Sequence, residues 1–515
     1  MPPRRKFSLS SLRRLSQLLF VILFLILFRK TDYAGTDQIP YAVNIFFRFN
    51  PLLAASVMLG AKAIITLVLY SLIVVFLTLL LGRFFCGWFC PLGSLLDLCH
   101  GIIPQQKEGA KGRFRSWKYL LLSLILTCAF FGLQLVGYFD PFSILARSMT
   151  IVLDPFLYWI VSTPFDFLYK AGPDWVTRVS EPIYDQLKNF ILPYNQKVYT
   201  LTLLSLIIFL LIFALERIER RFWCRNLCPL GGLLALLSRL SFLRGHIRET
   251  CNECKICTKI CRMEAIDEQR RIIPEFCNLC LECRDLCPNK SVSFNFKRHP
   301  EKLPSLGVSR RAFVGMLSAG ILLPAFFKVR AETKIADPAL IRPPGSINET
   351  KFLTRCIRCG LCMKVCPNNA LHPTLLEAGA EGIFSPRLIP RIGYCEFNCT
   401  LCGQVCPTGA ITTLVLKEKQ KTVIGIAFFD KNRCLPHAKG IPCIVCEEHC
   451  PTPDKAIKFR EVQVFNPEGK AVTIKQPYIR DSLCIGCGIC ENKCPVEGRA
   501  AVMVFKTSAK LNLPY

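Results

Sequence analysis

Cys224-Arg-Asn-Leu-Cys228-Pro-Leu-Gly-Gly-Leu-Leu opens the stretch, 224–288, whose reading decides the architecture of this chain. It begins where a long apolar run gives way to basic residues. It closes with two cysteine quartets, Cys251, Cys254, Cys257, Cys261 and Cys277, Cys280, Cys283, Cys287. Upstream the sequence has the composition of a membrane domain. Downstream the quartets recur.

The chain has 515 residues, room for several domains. Hydrophobic residues make up 51%, and the mean hydropathy is +0.35. Most of the apolar excess lies before residue 216. Thirty cysteines demand an explanation, and 24 of them fall into six quartets. A disulfide framework would not impose that spacing. Zinc sites usually pair C-x2-C units over longer separations. Close quartets ending in Cys-Pro match the bacterial [4Fe–4S] run C-x2-C-x2-C-x3-C-P instead. The net charge of +28 could suit nucleic acid. The basic residues cluster beside apolar segments, however, as the positive-inside bias requires, and no nucleic-acid partner is expected.

Residues 1–14 carry Arg4, Arg5, Lys6, Arg13 and Arg14 and no acid, which reads as a cytoplasmic flank. Apolar runs at 15–28, 52–81, 119–139 and 198–215 are expected to form four spans. The first is short, and Arg29 and Lys30 would snorkel outward from its end. Residues 82–118 hold six basic residues (Arg83, Lys107, Lys111, Arg113, Arg115, Lys118) against Asp97 and Glu108. Residues 216–250 hold seven basic against three acidic, and 140–199 five against six. That alternation places both ends of this half inside.

The apolar half is also an internal repeat. Phe49-Asn50-Pro51-Leu52 has a counterpart in Phe139-Asp140-Pro141-Phe142. Cys86-Gly-Trp-Phe-Cys90-Pro-Leu-Gly-Ser-Leu-Leu has one in the opening stretch. The two C-x3-C-P ends should therefore meet at the cytoplasmic membrane surface. Pro91 and Pro229 suit a first helical turn, followed by short interfacial helices. Cys86, Cys90, Cys224 and Cys228 have three readings: packing at helix ends, a shared redox centre that would be a seventh cluster, or a thiol pair or quinone contact. Cys99 and Cys128 match no pattern and read as buried apolar residues. Asp140 reads as a helix cap before Pro141, with quinol-proton acceptance as the competing role.

In the first pair of quartets, three cysteines on a tight loop should wrap one cluster while the fourth serves its neighbour. That joins Cys287 to Cys251, Cys254 and Cys257, and Cys261 to Cys277, Cys280 and Cys283. Arg262 replaces the usual proline after Cys261. Beyond it, Ser309-Arg310-Arg311-Ala312-Phe313 and the apolar run 312–327 have the shape of a twin-arginine leader inside the chain, read as an uncleaved fifth span. Residues 328 onward would then lie outside the cytoplasm.

The last block holds four quartets, each followed by proline. They are Cys356, Cys359, Cys362, Cys366; Cys395, Cys399, Cys402, Cys406; Cys434, Cys443, Cys446, Cys450; and Cys484, Cys487, Cys490, Cys494. Short β-prone runs separate them, including 421–429 and 471–478. From residue 328 the chain has 26 basic and 16 acidic residues, which suits an acidic redox partner.

These motifs resemble a known pair of proteins. Residues 1–300 are similar to NapH/MauN-type membrane ferredoxins, and 305–515 to their NapG/MauM-type polyferredoxin partner. The resemblance implies an α-helical polytopic membrane domain plus α+β ferredoxin-like [4Fe–4S] modules. The expected divisions are a membrane domain (1–245), a two-cluster module (246–300), the internal leader (305–330), a linker (331–349) and a four-cluster domain (350–515). The quartets imply six [4Fe–4S] clusters, and the duplicated C-x3-C-P cysteines are a candidate seventh. The resemblance further implies oxidation of quinol from the quinone pool in the cytoplasmic membrane, and transfer to an extracytoplasmic reductase or cytochrome. In polyferredoxins of the partner's type, quartets pair outermost with outermost. Cys366 would then serve the last cluster and Cys494 the first, with Cys406 and Cys450 exchanged between the middle two. A redox maturation factor acting on a partner metalloprotein is the alternative function.

Overall fold

The computed structural model describes residues 8–99, 114–171, 173–190, 192–296, 305–332, 337–465 and 471–506. Arg4, Arg5, Lys6, Lys107, Glu108, Lys111 and Arg113, counted above as flanking charge, lie outside them. The chain divides into two compact units. The first comprises Met1–Arg29, Ala42–Ser148 and Leu203–Phe326; the second comprises Lys30–Tyr41, Met149–Thr202 and Phe327–Tyr515.

The first unit is built on helices, and several differ from the expected spans. The first is longer than its apolar core, Leu9–Lys30. The run 52–81 is not one helix. Pro51–Ala61 stops where Lys62 turns left-handed, and a short 3₁₀ turn leads to Ser71–Leu81. The run 119–139 also breaks: Trp117–Phe130 ends before Gly132 at φ 90°, and Val136–Phe139 is a separate turn. In the fourth run the helix starts at Thr202, after Leu201 at φ 63°. Hydropathy alone does not register such breaks, because left-handed residues interrupt the backbone without lowering apolarity. Among the described residues three helices are long and apolar enough to cross a membrane: Leu9–Lys30, Pro141–Lys170 (which includes a π-turn) and Arg310–Phe327.

Helices Pro51–Ala61, Ser71–Leu81, Trp117–Phe130 and Pro229–Ser238 pack together. Val57, Ile125 and Leu234 are fully buried. Pro229–Ser238, expected at the interface, is mostly buried because Gly231 and Gly232 let neighbouring chain approach closely. The Asn-Pro and Asp-Pro repeats meet. Asn50 caps its helix by accepting from Leu52 N and Leu53 N, and its amide donates to Asp140. Asp140 accepts from Ser143 N at 2.8 Å, so its capping role is present. Cys128 is buried, whereas Cys99 is only half-buried.

Residues 244–296 form a small α+β module in the same unit. Arg244–Ile247 pairs antiparallel with Val292–Asn295 over a core of Ile266, Ile272 and Val292. Buried charges fasten the module to the helices. Asp97 receives Arg221 through Nε at 2.8 Å and Nη2 at 2.6 Å, and Arg262 at 2.7 Å. Arg13 donates to Glu282 at 2.9 Å, and Arg262 pairs with the same carboxylate. The residue that replaced a proline is thus a docking residue.

The second unit holds three antiparallel pairs: Leu371–Pro373 with Pro386–Leu388, Ile426–Phe429 with Val502–Phe505, and Ile457–Phe465 with Ala471–Ile479. Two earlier segments fold into it. Asp32 receives Lys197 at 2.8 Å and Lys364 at 3.0 Å, and Lys364 also reaches Asp154. Asp37 accepts from Thr400 N at 2.6 Å. Segments 30–41 and 149–202 thereby hold the turns that carry Cys362, Cys366 and Cys399.

Burial pushes the Asp32 carboxyl up, but Lys197 and Lys364 more than offset it and hold it at about 2. The unfolded value is about 3.9. This stabilisation is complete above pH ~4 and is lost as pH falls toward 2, so acid unfolding of the wild type should steepen in that window and the Asp32→Asn variant should lack the step. Lys364→Met removes a buried cation from between two carboxylates. It should destabilise the second unit by about 3–5 kcal/mol in denaturant unfolding.

Candidate metal centres

The C-x2-C-x2-C loops have a common backbone device. Residues on either side of the middle cysteine turn left-handed: Glu253 and Lys255, Leu279 and Leu281, Arg358 and Gly360, Gly486 and Gly488. Alternation of this kind curls the chain so that its amides face a common concavity suited to an anionic group. A short helix then carries the fourth cysteine away, as Leu361–Val365 does for Cys366.

For five of the six fourth cysteines the destination is the neighbouring quartet. Cys261 lines a pocket with Cys277, Cys280 and Cys283. Cys406 joins Cys356, Cys359 and Cys362. Cys494 joins Cys434, Cys443 and Cys446, and Cys450 joins Cys484, Cys487 and Cys490. Cys366 lies beside Cys395, Cys399 and Cys402, whose thiols are pushed up by burial and further by its charge. In the first module Cys257 and Cys287 pack on the same small core. The outermost-with-outermost pairing is therefore wrong for this chain: quartets exchange with their neighbours in sequence. The reason is local packing. Helix Leu361–Val365 packs on Leu401–Gln404, and Val445–Glu448 on Ile489–Lys493. Each fourth cysteine needs to travel only one short helix to reach its partner.

All six fourth-position sulfurs accept a backbone N–H. The donors are Ala265, Ser291, Ala370, Ile411, Ala456 and Ala501, at 3.2 to 3.4 Å. Such bonds stabilise negative charge on sulfur and tune cluster potentials. Burial pushes the Cys277, Cys446 and Cys487 thiols up to about 12, so without metal they would be protonated. Thiolate ligation by iron would displace those protons. Among the described residues no three His, Cys, Asp or Glu converge on a single-ion position. At four sites four sulfurs line one pocket, and the residues present there fit [4Fe–4S] clusters.

The four C-x3-C-P cysteines come together in the first unit. Cys90 and Cys228 are buried, and burial pushes the Cys90 thiol up to about 12, with Cys86 adding to it. Burial raises both the Cys224 and Cys228 thiols; Arg221 opposes this at Cys224, Cys86 and Cys90 add to it at both, and Cys224 adds to it at Cys228. Gly231 N donates to Cys228 Sγ at 3.3 Å, the same bond that each fourth-position cysteine receives.

Two residues missed in the sequence stand beside them. Arg83-Phe-Phe-Cys86 and Arg221-Phe-Trp-Cys224 place an arginine at one offset before each pair. Both are fully buried. Their recurrence with the cysteines was the available signal, but as basic residues they were absorbed into the flanking charge. Between Cys86 and Cys90, a methyl on Gly87 would stand 2.2 Å from Asn278 O. Trp88 Nε1 donates to Leu279 O at 3.0 Å. The first C-x3-C turn thus rests directly on the loop of Cys277 and Cys280.

Two outcomes check this geometry. Cys406→Ser should perturb the EPR signal that Cys356→Ser also perturbs, whereas Cys366→Ser should share its signal with Cys399→Ser. Gly87→Ala should loosen residues 244–296 from the helices, read as faster proteolysis of that module.

The comparisons with known proteins support iron–sulfur binding by this chain. A 4Fe-4S binding domain family matches residues 63–109, 200–248 and 402–429; its first two matches each contain a C-x3-C-P motif. A 4Fe-4S dicluster domain family matches 355–410, and a second 4Fe-4S binding domain family matches 477–498. The methylamine utilization ferredoxin-type protein MauM of Methylorubrum extorquens is 37% identical over 192 residues, covering 36% of this chain and 80% of the relative. The ferredoxin-type protein NapG of Escherichia coli is 31% identical over 197 residues, covering 38% of this chain and 82% of the relative. MauM of Paracoccus denitrificans is 31% identical over 207 residues, covering 38% and 86%. No solved structure matches. The chain belongs to the MauM/NapG family of iron–sulfur, ferredoxin-type electron-transfer proteins.

Proposed function

We propose that this protein is a multi-pass membrane electron carrier that takes electrons from quinol and delivers them to an extracytoplasmic reductase or cytochrome. The observation that carries the reading is the set of four-cysteine sites in a chain that also has, among the described residues, three helices apolar and long enough to cross a membrane. Bound [4Fe–4S] clusters supply one-electron transfer at potentials set by hydrogen bonds, charge and exposure. The chain's own residues hold them, exclude water and donate N–H groups to sulfur.

In this reading the C-x3-C-P half is a NapH-like membrane component fused to the polyferredoxin. Sidedness has two supports. The basic segments 82–118 and 216–250 fall in the unit that holds the first module, whereas the acidic-leaning 149–202 belongs with the second block. The helix that starts at Arg310 then acts as a retained twin-arginine-type anchor. Its first turn is basic, and Ser309 caps it by accepting from Ala312 N at 3.2 Å. The excess basic charge of the second block suits an acidic acceptor, for which rising salt should slow electron delivery.

The test is quinol-dependent reduction of the clusters in purified membranes, followed by EPR. Menaquinol should reduce the wild-type protein, and the Cys86→Ser/Cys224→Ser variant should lose that reduction while dithionite still reduces the remaining clusters. Clusters that stay oxidised under menaquinol would sink the respiratory reading and leave maturation of a partner metalloprotein.

A further inference from the structure

The four sites of the second block form a line whose two ends differ. Cys366 and Cys406 cross between the first two sites, and Cys450 and Cys494 between the last two. One loop joins the two pairs. Cys395 N donates to Cys487 O at 2.9 Å. Just before it, Arg391 donates to Glu491 O at 3.2 Å and to Cys494 O at 3.0 Å, at the end of helix Ile489–Lys493. Asn492 Nδ2 donates to Pro390 O at 3.1 Å, and a methyl on Gly488 would stand 2.7 Å from Pro390 Cβ. The sites of Cys395 and Cys487 are therefore the inner two. Those of Cys356 and Cys434 are the outer two.

Segments 30–41 and 149–202 hold the first pair. Tyr199 donates to Met363 O at 3.1 Å, Asn195 Nδ2 to Pro367 O at 3.1 Å, and Gln404 Nε2 to Asp37 O at 2.9 Å. In the chain, the earlier segment continues the apolar helix Leu9–Lys30 and the later one leads into Thr202–Ala214. The first pair is thus the end tethered to apolar helices, and the Cys434 site is the opposite end of the line.

That opposite end carries an added platform. The first gap of its quartet, Leu435 to Pro442, replaces the two or three residues found in the other quartets. Helix Leu435–Ala438 and the left-handed Gly440 lead to Cys443, flanked by Ile441 and Ile444, which are 46% and 45% exposed. Burial of such side chains is favourable, so folding alone does not account for two of them in water beside a ligand position. The hairpin Ile457–Phe465/Ala471–Ile479 is fastened to this insert: His437 Nε2 donates to Pro477 O at 2.9 Å, and Gln476 Nε2 to Pro436 O at 3.3 Å. Arg460 lies 5.6 Å from the ring of the exposed Tyr478. Across the insert and the adjoining hairpin positions 458–461 and 475–478, the cations are Lys439, Lys458, Arg460 and Lys475, and the acid is Glu461. An apolar centre with a basic rim is the make-up of a protein-docking face for an acidic partner.

We propose that the Cys434, Cys443, Cys446 and Cys494 site is the electron exit of the second block, and that Lys439, Ile441 and Ile444 with Arg460 and Tyr478 form the face on which an acidic redox protein docks. This deepens the electron-carrier reading and rests on it for the existence of an acceptor. The step moves one electron from a reduced four-iron centre to the partner's oxidised centre, and no bond or proton moves with it. The apolar pair excludes water over the exit, and the basic rim steers the partner to it.

The experiment starts from dithionite-reduced, purified full-length protein and needs no quinol, so its failure is separable from failure of the respiratory reading. The probe is an acidic plastocyanin, whose copper band bleaches on reduction in anaerobic stopped flow, with a basic cytochrome c as the control acceptor. Lys439→Glu/Arg460→Glu should keep wild-type iron, slow plastocyanin reduction about tenfold and remove most of its salt dependence, without slowing cytochrome c. Zinc-substituted plastocyanin, which accepts no electron, should bind wild type and not this variant. Ile441→Ser/Ile444→Ser should also slow plastocyanin but keep the salt dependence. Lys417→Glu, at an exposed position of the short helix Leu416–Lys419, should change none of these. A wild-type rate insensitive to salt, or a Lys439→Glu/Arg460→Glu rate equal to wild type, would overturn the proposal. So would an equal loss in Lys417→Glu or with cytochrome c. Loss of binding to phosphatidylglycerol vesicles with plastocyanin reduction unchanged would make the face a lipid contact and overturn it too.

Discussion

Exchange of the fourth cysteine between neighbouring quartets is the constraint on which the rest of this molecule depends. A C-x2-C-x2-C loop supplies three sulfurs from a single turn, and its left-handed residues fix the curl. It cannot supply the fourth, because the helix that follows carries Cys366 or Cys450 out of reach of its own loop. Closure therefore requires the adjacent loop to fold at the same time. The strands and helices around the sites are short, and the core of the first module is three buried residues. So little apolar burial would not hold such a module by itself. Metal–thiolate bonds from the exchanged cysteines would take the place of a core and would couple cluster insertion to folding.

Buried ionic clusters do a second job, fixing these metal-dependent modules to the helical framework. In the first unit Asp97 gathers Arg221 and Arg262, and Glu282 gathers Arg13 and Arg262. In the second, Asp32 and Asp154 gather Lys197 and Lys364. Charges taken out of water gain little net stability over an apolar contact. Their contribution is register. A cation that reaches two carboxylates on different segments defines one docking geometry, and one-electron transfer depends on the separation that geometry sets. The cluster sites and the ion clusters share residues or turns: Lys364 lies between Cys362 and Cys366, and Arg262 follows Cys261.

What the sequence made legible was whatever is written at short range. Cysteine spacing picked out the quartets, four sites of which line pockets completed by a neighbour's fourth cysteine, and the recurrence of Cys-Pro-Leu-Gly picked out a duplicated half. The helix breaks at Lys62 and Gly132 were hidden, because apolar composition continues through them while the backbone turns. Pairing of the last four quartets was hidden for a different reason. Spacing within a quartet is fixed by the loop, but the choice of partner is fixed by which short helices pack together. Arg83 and Arg221 were visible in the letters yet assigned to the flanking charge, since a sequence does not distinguish a solvated arginine from a buried one.

The helix that begins at Arg310 carries the same lesson about charge. Arg310 and Arg311 occupy its first turn, where the helix dipole disfavours cations by roughly 0.3–1 kcal/mol each. Helix stability therefore does not account for them. The helix is nonetheless fitted into the first unit: a methyl on Gly320 would stand 2.7 Å from Thr127 Cβ, so glycine permits the close approach to Trp117–Phe130. A segment with a disfavoured basic start and a matched interior face is placed by its ends as well as by its packing. Gly320 lets that helix lie directly against its neighbour.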